Sequence, residues 1–248
     1  MHKPFEKTHP HANTIVIFTH GFIGSPNQFE DLAAFAYQHG CSVLSLLLPG
    51  HGGTAKEFTK YRLNHWESHL ESEIKRVSAS YENIILVGHS IGGLLSLNAS
   101  LREDFNVKGV LLISSPLKLR YSLRTLRAGI RLHLLPKRTD EIIEAYRKSN
   151  SITTRSILSY LLWRRQTADV YRLMSKTRAN LPAVTVPTII INSRKDETVS
   201  LQTTNMFRDG LANTNKLIVL DESWHSFYDP TERAAICQEL LQLINNFV

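Results

Sequence analysis

Cysteine is scarce: Cys41 and Cys237 are the only two among 248 residues. That is too few for a disulfide framework, and their spacing is not that of a metal site, so both read as packing residues in a reducing compartment. No structural metal is expected, and the cytoplasm is the expected location. Long apolar runs are lacking too. No stretch approaches the roughly 18 apolar residues of a membrane span, and the opening MHKPFEKTHPHA lacks the apolar stretch of a secretory signal. A soluble protein is therefore expected. Repeats and low-complexity tracts are also missing. Although the net charge is +7, the chain has no RNA-binding aromatic motif, Gly-rich basic loop or zinc spacing, so nucleic acid is not an expected partner.

What is present is enough apolar material, 42% of residues, for one sizeable core, and one domain spanning residues 1–248 is expected. The positive charge sits in one segment. Leu117–Asn180 carries 15 Lys/Arg against 4 Asp/Glu, about +11, which leaves about −4 for the rest.

Short β-branched or Leu-rich runs recur at Thr14–Thr19, Ser42–Leu47, Ile84–Val87, Val107–Ile113, Thr188–Ile191 and Lys216–Leu220. Each is nearly continuously apolar and is followed by Gly, Pro, Asn or Asp, the pattern of strands buried on both faces of a parallel sheet. Amphipathic stretches lie between them at Asn27–His39, Asn64–Tyr81, Ile91–Arg102, Leu201–Leu211 and Thr231–Phe247. The expected class is α/β, with a doubly wound, mostly parallel sheet. From Leu117 to Leu181 the alternation stops. Only helical segments are expected there (Ser122–Leu134, Asp140–Lys148, Thr154–Arg164, Ala168–Lys176). Active sites of open α/β sheets lie beyond the carboxyl ends of the strands, where an insertion at 117–181 is placed to form a cap. A helical bundle packed elsewhere is the alternative.

Gly88-His89-Ser90-Ile91-Gly92-Gly93 follows one expected strand and opens a helix. GxSxG is weak as a bare pentapeptide and gains force from this strand–turn–helix context. The small residues permit a tight turn, and the helix N-terminus favours negative charge developing at the serine. A serine hydroxyl needs a base, and the base needs an orienting group. The strand Thr188–Ile191 leads into Asn192-Ser193-Arg194-Lys195-Asp196-Glu197, and Lys216–Leu220 into Asp221-Glu222-Ser223-Trp224-His225. Among 11 histidines, only His225 falls between the last strand and the last helix. Asp196 is the expected acid, with Glu197 and Asp221 as alternatives. His20-Gly21-Phe22 ends the first strand, and its backbone can pair with that of Ile91 to form an oxyanion hole from the Phe22 and Ile91 N–H groups. His20 and His89 are expected to support these groups. Pro49-Gly50-His51-Gly52-Gly53-Thr54 reads as a turn without catalytic duty.

As an ordered set, HGF, PGHGGT, GHSIGG, SRKDETV and SWH resemble the α/β-hydrolase superfamily, and within it small bacterial carboxylesterases and monoacylglycerol lipases. The motifs span His20 to His225. The resemblance implies a triad of Ser90, Asp196 and His225, the oxyanion hole above and a helical cap holding an acyl chain. Function is accordingly expected to be serine carboxylesterase chemistry on a small or medium-chain ester, monoacylglycerol included, with no cofactor. Leu126, Ile130, Tyr160 and Trp163 are candidates to line the acyl pocket, with packing inside the cap as the plainer reading. Two alternatives stay open. HGFIGS with LPGHGGT also looks like a menaquinone-pathway lyase acting on an anionic substrate, although His89 stands where that enzyme carries Tyr. A hydrolase-like small-molecule binding module is the other. The basic segment suggests weak association with anionic membrane surfaces.

Overall fold

Seven strands form one sheet because its central members are covered along almost their whole length and carry a run of buried apolar residues through their middles. The computed structural model describes residues 2–120, 141–152, 162–212 and 216–247. The strands are β1 (Phe5–Lys7), β2 (Thr14–Thr19), β3 (Ser42–Ser45), β4 (Asn83–His89), β5 (Val107–Ile113), β6 (Thr188–Ser193) and β7 (Lys216–Leu220). Their order is β1-β3-β2-β4-β5-β6-β7. β1 pairs antiparallel with β3, and every other neighbouring pair is parallel. The α/β class and the mostly parallel sheet are as expected.

Successive residues of a strand point to opposite faces, and the two faces carry two cores. Ile15 and Ile17 join Leu86, Val110 and Leu112 on one side. Val16 and Phe18 join Val87, Leu111 and Ile113 on the other. The first face is covered by α3 (Leu63–Ser78), α4 (Ile91–Ala99), α6 (Arg164–Asn180) and α7 (Gln202–Gly210), the second by α1 (Glu30–Gln38) and α8 (Pro230–Asn245). In α3 the buried residues Trp66, Leu70, Ile74 and Val77 recur every three or four positions and so form one stripe. α8 starts where its sequence dictates: the Asp229 side chain accepts the Thr231 N–H at 2.9 Å, with Pro230 just inside.

Among the elements with no counterpart in the expectations are β1, whose Phe-Glu-Lys lies on the sheet edge, and the single turn α2 (Ala55–Phe58). Between β5 and β6 the described residues hold α5 (Glu141–Ser149) and α6, but no strand. The expected helix Ser122–Leu134 lies outside the described residues, as does Thr154–Arg164 up to residue 161. Several cations of this basic stretch meet carboxylates of the remaining chain: Lys148 pairs with Glu30 at 2.9 Å and Lys176 with Glu67 at 2.8 Å. Asp169, buried in α6, takes a two-pronged contact from Arg62 and a third bond from Arg172.

The chain runs from β2 outward to β3, then returns to place β4 on the other side of β2. The carboxyl ends of β2 and β4 thus flank the switch point of the sheet, where crevices of such folds form.

Candidate active site

Ser90 follows β4 directly and stands at the N-cap of α4 with φ 55° and ψ −127°. For a residue with a Cβ this conformation costs roughly 1–3 kcal/mol and persists only where the surroundings impose it. They do so here. The Ser90 N–H donates to the Ile113 carbonyl at 2.9 Å and its own carbonyl accepts from Gly93 at 3.1 Å. The turn also closes only on small residues: a Cβ on Gly88 would lie 2.3 Å from the Gly93 Cα, and one on Gly92 would lie 2.0 Å from the Thr19 carbonyl oxygen.

The turn after β2 presses against the same serine, since a Cβ on Gly21 would come within 3.0 Å of the Ser90 Cβ. Among the described residues, the backbone N–H groups of Phe22 and Ile91 donate to no protein acceptor. Ile91 is the first residue of α4, where such an orphan N–H is expected. Two histidines hold the turn. His20 accepts the Leu48 N–H on Nε2 at 3.0 Å, which leaves the proton on Nδ1 to donate to the Gly21 carbonyl at 2.9 Å. His51 lies with Nε2 2.7 Å from the Phe22 carbonyl. Burial holds both imidazoles neutral: it takes His20 well below the ordinary histidine value, aided by nearby His51, and brings His51 down to about 4. The PGHGGT turn, assigned no role above, therefore reaches the oxyanion turn through His51. A histidine inside a Gly-rich turn was the only signal of this.

Asp196 and His225 come together. Nδ1 of His225 lies 2.9 Å from Oδ2 of Asp196, while Oδ1 of Asp196 accepts the N–H groups of Thr198 and Val199, each at 2.7 Å. With Nδ1–H donating to a carboxylate, a neutral His225 presents a bare Nε2, the form able to take a proton. Burial opposes charge on both partners, but mutual attraction and hydrogen bonding outweigh it. The His225 pKa is raised above the ordinary histidine value, with Glu197 adding to the effect of Asp196, and the Asp196 pKa is lowered.

The other two acids sit differently. The Asp221 side chain is exposed and pairs with Arg194 at 2.7 Å. Glu197 is buried, and its Oε2 accepts the backbone N–H of His225 at 3.3 Å. Of the three, Asp196 is the acid hydrogen-bonded to the imidazole.

His89 links the elbow to this pair. Its ring lies 4.8 Å from that of His225, and its Nε2 is 2.8 Å from the His225 carbonyl oxygen. Burial and then the nearby His225 bring its pKa down to about 3, so it donates as a neutral ring. Ser90 Oγ and His225 Nε2 are not hydrogen-bonded in this arrangement, a contact that commonly tightens only when substrate is bound.

Trp163 is buried, edge-on to Phe22 and Phe58 at 6.3 Å and 5.4 Å between ring centres. It packs against the oxyanion turn. Leu126, Ile130 and Tyr160 lie outside the described residues.

Residues 10–232 match the family described as serine aminopeptidase, S33. The chain is 24% identical to a thermostable monoacylglycerol lipase of Bacillus sp. (strain H-257), over 85% of this chain and 82% of that one. It is 21% identical to a carboxylesterase of Bacillus subtilis (strain 168), over 98% and 96% of the two chains. Among solved structures, one described under LipS and LipT, two metagenome-derived lipolytic enzymes, superposes with a TM-score of 0.77 at 20% identity, covering 98% of this chain and 97% of that chain.

Proposed function

Because this chain belongs to the serine aminopeptidase S33 family and has the α/β-hydrolase fold, we propose that it is a serine carboxylesterase for small or medium-chain esters. Ser90 attacks the ester carbonyl, His225 takes its proton through Nε2, and Asp196 holds the imidazole in that tautomer. The N–H groups of Phe22 and Ile91 receive the oxyanion. The tetrahedral intermediate collapses by breaking the bond to the alcohol, which leaves with the proton returned from His225 Nε2. The acyl-enzyme on Ser90 is then opened by water, which the again neutral His225 deprotonates, and that proton passes to Ser90 Oγ as the acid departs.

The observation that carries this reading is the strained Ser90 turn beside two N–H groups free of protein acceptors among the described residues, with a carboxylate-held imidazole packed against the neighbouring His89 ring. Such a site suits acyl transfer in general. Preference for an ester over an amide follows the names of the two curated relatives, each spanning more than four fifths of this chain. The test is a panel of 4-nitrophenyl esters of increasing acyl length, monoacylglycerols, aminoacyl anilides and the anionic diene of the lyase reaction. Turnover of short aryl esters with an initial burst of nitrophenol supports the esterase. Turnover confined to the anilides or to the diene overturns it.

We further place residues 117–181 as a helical cap on a single domain, and the protein in the cytoplasm, where two unpaired cysteines stay reduced. A cap carrying about +11 on a body of about −4 would draw anionic esters, or anionic lipid surfaces, toward the site. That attraction is screened by salt, with a Debye length of about 10 Å at 0.1 M. For an ester bearing a carboxylate, kcat/KM is expected to fall several-fold from low salt to about 0.3 M, while a neutral ester of equal length stays level. Arg124, Arg127 and Arg131, at spacings of three and four, would share one face of the helix expected from the sequence; they lie outside the described residues. Their joint change to Gln should remove most of the difference. Equal salt responses for both esters would end the steering role.

A further inference from the structure

We propose that Tyr146 and Glu197 are positioning residues for His225, and that α5, which carries Tyr146, docks on the base and on the oxyanion turn together. The inference rests on His225 being the base of the proposed reaction.

Glu197 follows Asp196, and both side chains are buried. Two adjacent carboxylates in the interior require partners, and theirs differ. Asp196 takes the imidazole and two backbone N–H groups. Glu197 spans two elements: Oε2 accepts the His225 backbone N–H at 3.3 Å, and Oε1 accepts the phenolic O–H of Tyr146. The imidazole is thus held at its ring by one acid and at its backbone by the next. Tyr146 belongs to neither strand loop. It reaches this carboxylate from the stretch between β5 and β6.

The same stretch grips the other half of the site. Just beyond α5, the Ser151 N–H donates to the Ile23 carbonyl at 2.9 Å, its hydroxyl donates to the Gly24 carbonyl, and it accepts the Gly52 N–H at 3.2 Å. Asn150 bridges Gly24, and Lys148 pairs with Glu30. Within six residues of chain, contacts therefore run to the loop of the base and to the turn that presents the Phe22 N–H. A displaced α5 would loosen both.

The groups facing His225 are Asp196 and Glu197 from the loop after β6, His89 from the end of β4, and Tyr228 from its own loop, with Tyr146 reaching it through Glu197. Of these, Asp196 and Glu197 are the two acids, and both raise the His225 pKa. Removing the second charge destabilises the imidazolium, so the histidine loses its proton at lower pH.

Two variants separate charge from anchorage, read on a short neutral aryl ester so that acyl-chain binding plays little part. Glu197→Gln keeps the shape and lacks the charge. Its acid limb of kcat is expected to move to lower pH. Tyr146→Phe keeps the charge and lacks the anchor. Its kcat is expected to fall roughly 10-fold to 100-fold, the scale of a small misplacement of a catalytic group, with KM changed far less and the pH midpoint retained. A merely structural role would lower Tm and leave the midpoint and the kcat of folded enzyme unmoved, and that result overturns the proposal. Should the wild type turn over no ester, the esterase reading fails by itself. The His225 imidazole, followed by NMR in wild type and Glu197→Gln, then decides: a lower pKa in the variant supports the proposal, and an identical titration overturns it.

Discussion

Ser90→Ala is expected to lower kcat for a short aryl ester by roughly 10⁴-fold to 10⁶-fold, the scale of nucleophile loss in triad enzymes. The hydroxyl is the only group removed. The Phe22 and Ile91 N–H groups remain to stabilise an oxyanion, so a rate above that of water should persist through attack by solvent, and KM should change little. The fold should survive, because the strained φ of 55° is imposed by backbone contacts to Ile113 and Gly93 that alanine keeps. Equal Tm values for variant and wild type check this. The covalent step has its own readout: mass spectrometry of the wild type mixed with a slow ester should find the acyl group on the peptide holding Ser90, and the variant should stay unlabelled. A Ser90→Ala protein with wild-type turnover would end the assignment of nucleophile and mechanism together.

The layers of the fold differ in how far they can be read from the chain. β2 and β5 begin and end where the apolar runs do, because strands covered on both faces leave few polar residues to blur their limits; β7 also matches its run, although it is the half-covered strand at the sheet's far edge. β4 extends past its run to include Gly88 and His89, since the tight elbow needs the strand to continue up to Ser90. β1 leaves no trace in the sequence for the opposite reason. An edge strand of three residues with two polar side chains has neither length nor pattern to report.

Chemistry borne by side chains in fixed loop order was legible: Ser90, Asp196 and His225 follow three separate candidate strands, and the fold brings the last two into contact. Chemistry borne by long-range support was not. His51 reaches Phe22 across 29 positions and Tyr146 reaches Glu197 across 51, and no local period or motif records such distances. Counted along the sequence, the charge of Leu117–Asn180 is one block. In the described part of it, Lys148, Arg172 and Lys176 are each paired with a carboxylate, two of those carboxylates lying elsewhere in the chain. Part of the +11 is therefore met by the −4 surface it packs on, a pairing that a count along the sequence does not contain.

Asp196→Asn should cost roughly 10⁴-fold in kcat, as loss of the triad acid does elsewhere, and the surroundings of this residue say why. Oδ1 of Asp196 accepts two backbone N–H groups, from Thr198 and Val199. An asparagine there must point its carbonyl oxygen at those donors, which turns its NH2 toward Nδ1 of His225. Nδ1 then becomes an acceptor and the proton moves to Nε2, the nitrogen that has to receive the serine proton. The variant also lacks the charge that raises the His225 pKa, so what activity remains should have its acid limb at lower pH than wild type. In the wild type the sign runs the other way: a raised pKa means that activity is lost on acidification from above the ordinary histidine value near 6.5. Glu197→Gln leaves the ring tautomer intact and should fall far short of the effect of Asp196→Asn. Asp221→Asn should leave kcat near wild type, because that side chain is exposed and pairs with Arg194. Parallel kcat and pH profiles of the three variants decide the matter. If Asp221→Asn were the crippling change, or if the Asp196→Asn enzyme kept wild-type turnover, the acid of the site would have to be sought elsewhere.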